Sequence, residues 1–143
     1  MTMATRAQIV ECARTYLGAP FAHQGRSRIF GIDCVGLPLC VGRDLGLPVP
    51  DYRNYDRQTA DDTVLLECRK NLQEIESSGM RPGDILCMRT PKFASHTAIV
   101  TELLGQIGII HAWSLDGKVV EHNLDLKWSR RIAGVFLFPG VED

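Results

Sequence analysis

The sequence has no C-x-x-C pair, no apolar run of membrane-spanning length and almost no net charge, and each absence removes a class of protein. Its five cysteines, Cys12, Cys34, Cys40, Cys68 and Cys87, are odd in number and widely spaced. That is neither a disulfide framework nor the short ligand spacing of a zinc module. A net charge of -1 leaves no electrostatic footprint for nucleic acid or anionic lipid, so neither is an expected partner. No stretch approaches the roughly 18 apolar residues of a membrane span, and membrane insertion is not expected. Met1 to Arg6 lacks the apolar core of a secretory signal peptide, and free thiols suit a reducing compartment, so cytoplasmic synthesis is expected. Repeats and low-complexity tracts are absent as well.

What remains is one domain, residues 1–143, with 45% hydrophobic and 23% charged residues, ordinary values for a soluble globular fold. Thr5-Arg6-Ala7-Gln8 has the form of a capping box, and Ile9, Val10, Ala13, Tyr16 and Leu17 recur at helical spacing up to Gly18, which predicts a helix over 5–17. An irregular basic loop follows. A second helix is expected from Cys34 to about Gly46, with Pro38 straining or kinking its first turn. A third begins at Asp61 or Asp62, its stripe of Val64, Leu65, Cys68, Leu72 and Ile75 running up to Ser77. Arg81-Pro82-Gly83-Asp84 reads as a type II turn.

Beyond it the period changes to that of strands: 85–88, 97–102, 107–112, 118–122 and 132–138. Gly105 and Asp116-Gly117 mark two hairpins, the second with a type I′ signal. Helices followed by an antiparallel meander of about five strands predict an α+β fold, the helices packed on one face of the sheet.

The chemistry gathers at Gly31-Ile32-Asp33-Cys34-Val35-Gly36-Leu37. If Asp33 caps the second helix, Cys34 lies in its first turn, where unpaired N–H groups and the positive dipole end stabilise a thiolate. A cysteine so placed beside a histidine is expected to ionise near neutral pH. The other reading is a small buried residue beneath a helix start. His96 opens one strand and His111 lies near the end of the next, so the two imidazoles can meet across neighbouring strands. A thiol hydrolase needs a nucleophile, a base and a group that orients the base, and Cys34, His96 and His111 can fill those roles in that order. Each histidine alone is equally a strand residue satisfied by a backbone carbonyl.

The series Leu17-Gly-Ala-Pro-Phe21, Gly31-Ile-Asp-Cys-Val-Gly-Leu37, Arg81-Pro-Gly-Asp-Ile-Leu86, Ser95-His-Thr-Ala-Ile-Val100 and Ile110-His-Ala112 resembles the NlpC-type cell-wall peptidases, in the family's order and over nearly the whole chain. The resemblance implies a papain-like fold and cleavage of peptidoglycan stem peptides, commonly at the bond between γ-D-glutamyl and a diamino acid. It puts the nucleophile on Cys34, the base on His96 and the third polar member on His111, and implies neither cofactor nor metal. Two positions depart from the pattern: Val35 stands where many relatives have serine, and Phe21 where many have tyrosine.

Asp33, Phe21, His23 and Trp113 are the candidate substrate-binding residues. Asp33 also reads as a cap, His23 as a solvated loop residue and Trp113 as core or groove wall. Arg26 and Arg28 read either as carboxylate binders or as solvated. His122 faces an exposed hairpin by its alternation and is assigned no role. The His23-Gln24-Gly25 loop and the ending Gly134-Val-Phe-Leu-Phe-Pro139 resemble the branch encoded beside phage-tail genes. The expected partners are therefore a peptidoglycan peptide and the proteins of a phage tail or similar secretion device, with delivery to the periplasm or packaging in a tail particle. Residues 135–141 are either a docking patch for that device or the last core strand.

Three other functions are compatible with the residues: a zinc site of Cys34, His23, His96 and His111, which lacks ligand spacing; a catalytically unused binding component of a tail; and a papain-like acyltransferase.

Overall fold

Thr5 and Gln8 close the capping box, Thr5 Oγ1 accepting from the Gln8 N–H at 3.1 Å and Gln8 Oε1 from the Thr5 N–H at 2.8 Å. Two otherwise unpaired donors at a helix start are thereby satisfied. In the computed structural model, which describes residues 3–57 and 61–142, β1 (Ala4–Thr5) leads directly into α1 (Arg6–Arg14). The helix buries Ile9, Val10 and Ala13. It ends before the expected Leu17, because Thr15, Tyr16 and Leu17 donate to carbonyls three residues back rather than four. Gly18, at φ +84°, then turns the chain.

A small hairpin, β2 (Arg26–Ser27) with β3 (Gly31–Ile32), delivers the chain to α2 (Gly36–Leu45). The regular helix starts two residues after Cys34, but the cap is the expected one. Asp33 Oδ1 accepts from the Gly36 N–H at 2.8 Å and the Asp33 carbonyl from the Leu37 N–H at 3.2 Å. Pro38 lies in the first turn of the helix. Its missing N–H leaves the Cys34 carbonyl without a helical donor, and the Thr97 hydroxyl takes that place. The proline thus exchanges one helix bond for a tie between the helix start and the sheet.

Helix α3 (Thr63–Asn71) buries Val64, Leu65 and Cys68. It stops before Leu72, and Glu74–Ile75 forms an unexpected sixth strand, β4. The helical stripe was extended too far, since pairing with a neighbouring strand satisfies the backbone here. Ser77–Gly79 is a 3-10 turn. Gly83 takes φ +93° and the Asp84 N–H reaches the Arg81 carbonyl at 3.1 Å, as the type II turn requires. The buried Asp84 carboxylate holds Arg6 at 2.6 Å, fastening the turn to α1.

The strands β5 (Ile85–Arg89), β6 (Ala94–Leu103), β7 (Gln106–Trp113) and β8 (Lys118–Asn123) form a meander, followed by α4 (Leu126–Ser129), β9 (Ile132–Phe136) and β10 (Val141–Glu142). The six-stranded sheet runs β4-β9-β5-β6-β7-β8, antiparallel throughout. β9 therefore does not continue the meander past β8; it crosses back to the free edge of β5.

The hairpin turns also exchange roles. Leu104 and Gly105, at φ +55° and +77°, have the positive dihedrals of a type I′ pair, whereas Ser114–Gly117 is a four-residue loop whose Trp113 carbonyl accepts from Asp116 and Gly117.

The face of the sheet toward α1, α2 and α3 packs Ile85, Ile99, Ile110 and Phe136. A second cluster, Leu86, Met88, Ala98, Val100, Ile109 and Val135, lies on the other face with Leu124 and Trp128 packed against it. Of the two readings of residues 135–141, burial favours the core strand: Val135, Phe136 and Phe138 are buried, and Val141 pairs with Ala4. Among the described residues no helix is long and apolar enough to cross a membrane.

Candidate active site

Cys34 sits where α2 begins against β6, in a cleft also lined by Phe21, His23, Tyr55, His96 and Trp113. Its Sγ lies 3.8 Å from the Ser95 carbonyl. The backbone N–H groups of Thr97 and Val35 favour the thiolate, but burial and the adjacent Asp33 carboxylate outweigh them and push the thiol up to about 12. The expectation of a resting thiolate is thus reversed. A helix start contributes only near its exposed end, and here desolvation of the sulfur is the larger effect.

Across the cleft His96 Nε2 and His111 Nδ1 are 2.6 Å apart. Both rings are buried, which lowers His96 to about 3, with Arg131 adding to the effect, and His111 to about 2, with His96 and His122 adding. The site at rest is a neutral thiol beside neutral imidazoles, and Nδ1 is the nitrogen His96 leaves free of its partner. His111 reaches in turn to His122, Nε2 to Nε2 at 2.9 Å.

His122 is the polar residue that sequence reasoning missed. A two-residue turn at Asp116-Gly117 would pair it with His111, and the observed register pairs Ile109 with His122 and His111 with Val120. Both registers put the two imidazoles on one face, so strand alternation carried the signal.

Asp33 is satisfied within the protein. Its carboxylate accepts from the N–H groups of Gln24 and Gly36, from the Tyr55 hydroxyl and from Arg26, at 2.6–2.9 Å. Arg26 is neither solvated nor free for a ligand; it is buried between Asp33, Asp51 at 3.2 Å and Tyr55. Arg28 pairs with Asp44 and lies over the Tyr16 ring. His23 packs edge-on against Tyr55, ring centroids 5.6 Å apart. Phe21 is half-buried on the cleft wall, and Trp113 stands edge-on to His96 at 5.1 Å. Trp128 covers His111 at 4.9 Å.

The zinc alternative finds no support in the geometry of one pair. Two nitrogens on one tetrahedral zinc stand more than ~3 Å apart, and the facing nitrogens of His96 and His111 are closer than that. Among the described residues no His, Cys, Asp and Glu cluster is arranged to hold a metal ion.

Residues 18–136 match the model of the NlpC/P60 family. The chain belongs to the NlpC/P60 family. Among solved structures it is similar to an NlpC/P60 family protein from Bacillus cereus, at TM-score 0.71 and 20% identity over 96% of this chain and 41% of that one. It is also similar to the NlpC/p60 domain of the peptidoglycan hydrolase SagA, at 0.64 and 24% over 93% and 98%. A third is the P60 domain of an antigen from M. avium subspecies paratuberculosis, at 0.67 and 18% over 96% of each chain. At these identities the likeness is one of fold, the papain-like α+β arrangement expected from the sequence. The NlpC/P60 chain spans about two fifths of the Bacillus protein's length and nearly all of the two isolated domains. No curated protein matches its sequence.

Proposed function

We propose that the chain is a cysteine peptidase that hydrolyses peptidoglycan stem peptides, with Cys34 as nucleophile, His96 as base and His111 as the group that orients it. Membership of the NlpC/P60 family supports a cell-wall peptidase-type hydrolase in general. The observation that supports the specific roles is the 2.6 Å bond between His96 and His111 beside the cleft that Cys34 lines. His96 accepts the thiol proton as Sγ attacks the peptide carbonyl, and returns it to the leaving amine. Water then attacks the thioester and gives its proton to His96; the carbon–sulfur bond breaks, the acid leaves, and His96 returns the proton to the Cys34 sulfur. The N–H of Val35, already turned to the sulfur, suits a developing oxyanion. Val35 in place of serine leaves that main-chain donor intact.

Mass spectrometry of purified peptidoglycan fragments after incubation tests the reading. The expected result is cleavage between γ-D-glutamyl and the diamino acid, absent with Cys34→Ala. Intact fragments with well-folded protein would overturn it. Transfer of the acyl group to an amine in place of water would reassign the chain to acyltransfer.

Delivery by a phage tail or similar device is a separate part of the proposal, supported by the resemblance of His23-Gln24-Gly25 and of the C-terminal segment. The loop has a local role too. Gln24, at φ +57°, gives its N–H to Asp33 and its side-chain amide to the Arg53 and Tyr55 carbonyls. Presence of the chain in purified tail particles is the expected result, and absence from every preparation would remove this part while leaving the peptidase assignment standing.

A further inference from the structure

The His96–His111 bond does not end at His111. His111 Nε2 meets His122 Nε2 at 2.9 Å, and His122 Nδ1 meets the Asn123 carbonyl at 2.9 Å. Four groups thus form one line, and its far end is an oxygen that can only accept. We propose that His122 is a positioning residue that, backed by the Asn123 carbonyl, sets the tautomers of His111 and His96 so that Nδ1 of His96 keeps its lone pair for the thiol proton. The inference rests on the peptidase reading for its consequence in catalysis, but its physical content concerns only where three protons sit.

A neutral imidazole has one donor nitrogen and one acceptor nitrogen. The Asn123 carbonyl has no proton to give, so His122 must carry its proton on Nδ1, and its Nε2 is then an acceptor. His111 must donate to it from Nε2, which leaves His111 Nδ1 an acceptor. His96 must therefore donate from Nε2, and its Nδ1 is bare. Reversing any one bond would set two protons, or two lone pairs, against each other at 2.6–2.9 Å. The low-lying proton affinities of the buried His96 and His111 rings, depressed by burial, agree with neutral imidazoles at those two positions.

The line is also held in place. The Asn123 side chain donates to the Leu103 carbonyl at 3.0 Å and the next N–H, of Leu124, to the Ile107 carbonyl at 2.9 Å, fixing the end of β8 against the β6–β7 hairpin. Trp128 lies against His111 at 4.9 Å and His122 at 5.5 Å, with the Arg131 guanidinium stacked on it at 4.5 Å. His111 is fully buried under that roof, so water does not compete for its Nε2.

The test reads the protons directly. In the full chain labelled with 15N-histidine, long-range 1H–15N correlation at neutral pH should show His96 and His111 protonated on Nε2 and His122 on Nδ1. A proton on His96 Nδ1 would overturn the proposal, whether or not the protein hydrolyses peptidoglycan. Three variants add a causal arm. His122→Phe keeps a ring but removes the acceptor, and should release the tautomer lock on His111. It should also lower kcat by about one to two powers of ten at unchanged KM, less than the ~four powers lost when a serine triad holds the wrong tautomer. His122→Gln, which can still present an oxygen to His111, should restore most of both. His122→Lys, a donor only, should be worse than His122→Phe. Equal losses in His122→Gln and His122→Phe, with the His96 and His111 tautomers unaltered, would reduce His122 to packing and overturn the proposal.

Discussion

On the Cys34 side of the cleft, a buried carboxylate is met by four donors, one of them a guanidinium that a second carboxylate also holds. On the His96 side, imidazoles meet one another, a carbonyl and two indole rings. The first wall is rigid because charges are paired and every lone pair of Asp33 has a donor. The second is ordered because neutral rings can satisfy the chain in only one sense. Together they show that a site can be fixed by charge on one side and by the absence of charge on the other. The wall without charge is the one proposed to move a proton.

The largest expected effect falls on the reacting atoms. Cys34→Ala and His96→Ala should each abolish hydrolysis of peptidoglycan fragments with the fold retained by circular dichroism, while His111→Ala should leave a measurable rate, since removing an orienting group costs less than removing the nucleophile. Full activity in His96→Ala would take that residue out of the chemistry.

Next is the charged wall. Arg26→Ala leaves the Asp33 carboxylate buried without its cation, and breaking a buried pair costs about 3–5 kcal/mol. A urea midpoint matching that of the native chain would mean that Tyr55 and the two N–H groups suffice.

The neutral wall should respond to acid. His96 and His111 stay unprotonated in the folded chain down to about 3 and about 2, against an ordinary value of 6.5. The unfolded chain takes up the protons first, so stability is full above about pH 6.5 and falls as the pH drops toward 3, by up to ~1.4 kcal/mol per pH unit for each ring. Urea midpoints at pH 7.5 and 4.5 measure this, and replacing both histidines by glutamine should flatten the difference. Equal midpoints in the native chain would mean that the rings charge in place.

The smallest effect sharpens the contrast at the thiol. With Cys34 pushed up to about 12, its alkylation by iodoacetamide should be slow at pH 7 and rise about tenfold per pH unit up to pH 9, as a thiol far below its pKa must. Peptide mapping separates it from Cys12, Cys40, Cys68 and Cys87. A rate already level between pH 6 and 8 would reveal a thiolate–imidazolium pair and remove the neutral resting state.

Much of the molecule was legible residue by residue. The Thr5–Gln8 box, the Arg81–Asp84 turn, the Asp33 cap and five of the six main-sheet strands follow from signals a few residues long, because caps, turns and side-chain alternation are local chemistry. The order of Cys34, His96 and His111 along the chain was enough to assign roles by resemblance. The failures share a cause. Ile75 continues a helical stripe yet pairs with Val135, and Leu104 carries the positive φ that the Asp116-Gly117 signal had claimed. In the first, a partner distant in sequence overrode the local preference; in the second, the register of the two flanking strands placed the tight turn.

The sequence by itself therefore determined most of the elements and the family, and singled out the thiol and imidazoles proposed to react, since these depend on residue identity and short spacing. Only the tertiary structure decided the state of those groups. Arg26 became a buried counter-ion when the Asp51 and Tyr55 loop closed over it, Cys34 became a neutral thiol when desolvation outweighed the helix start, and His122 joined the line when β8 paired with β7. Burial and cross-strand register are properties of the folded chain as a whole, and both proton affinity and hydrogen-bond direction depend on them.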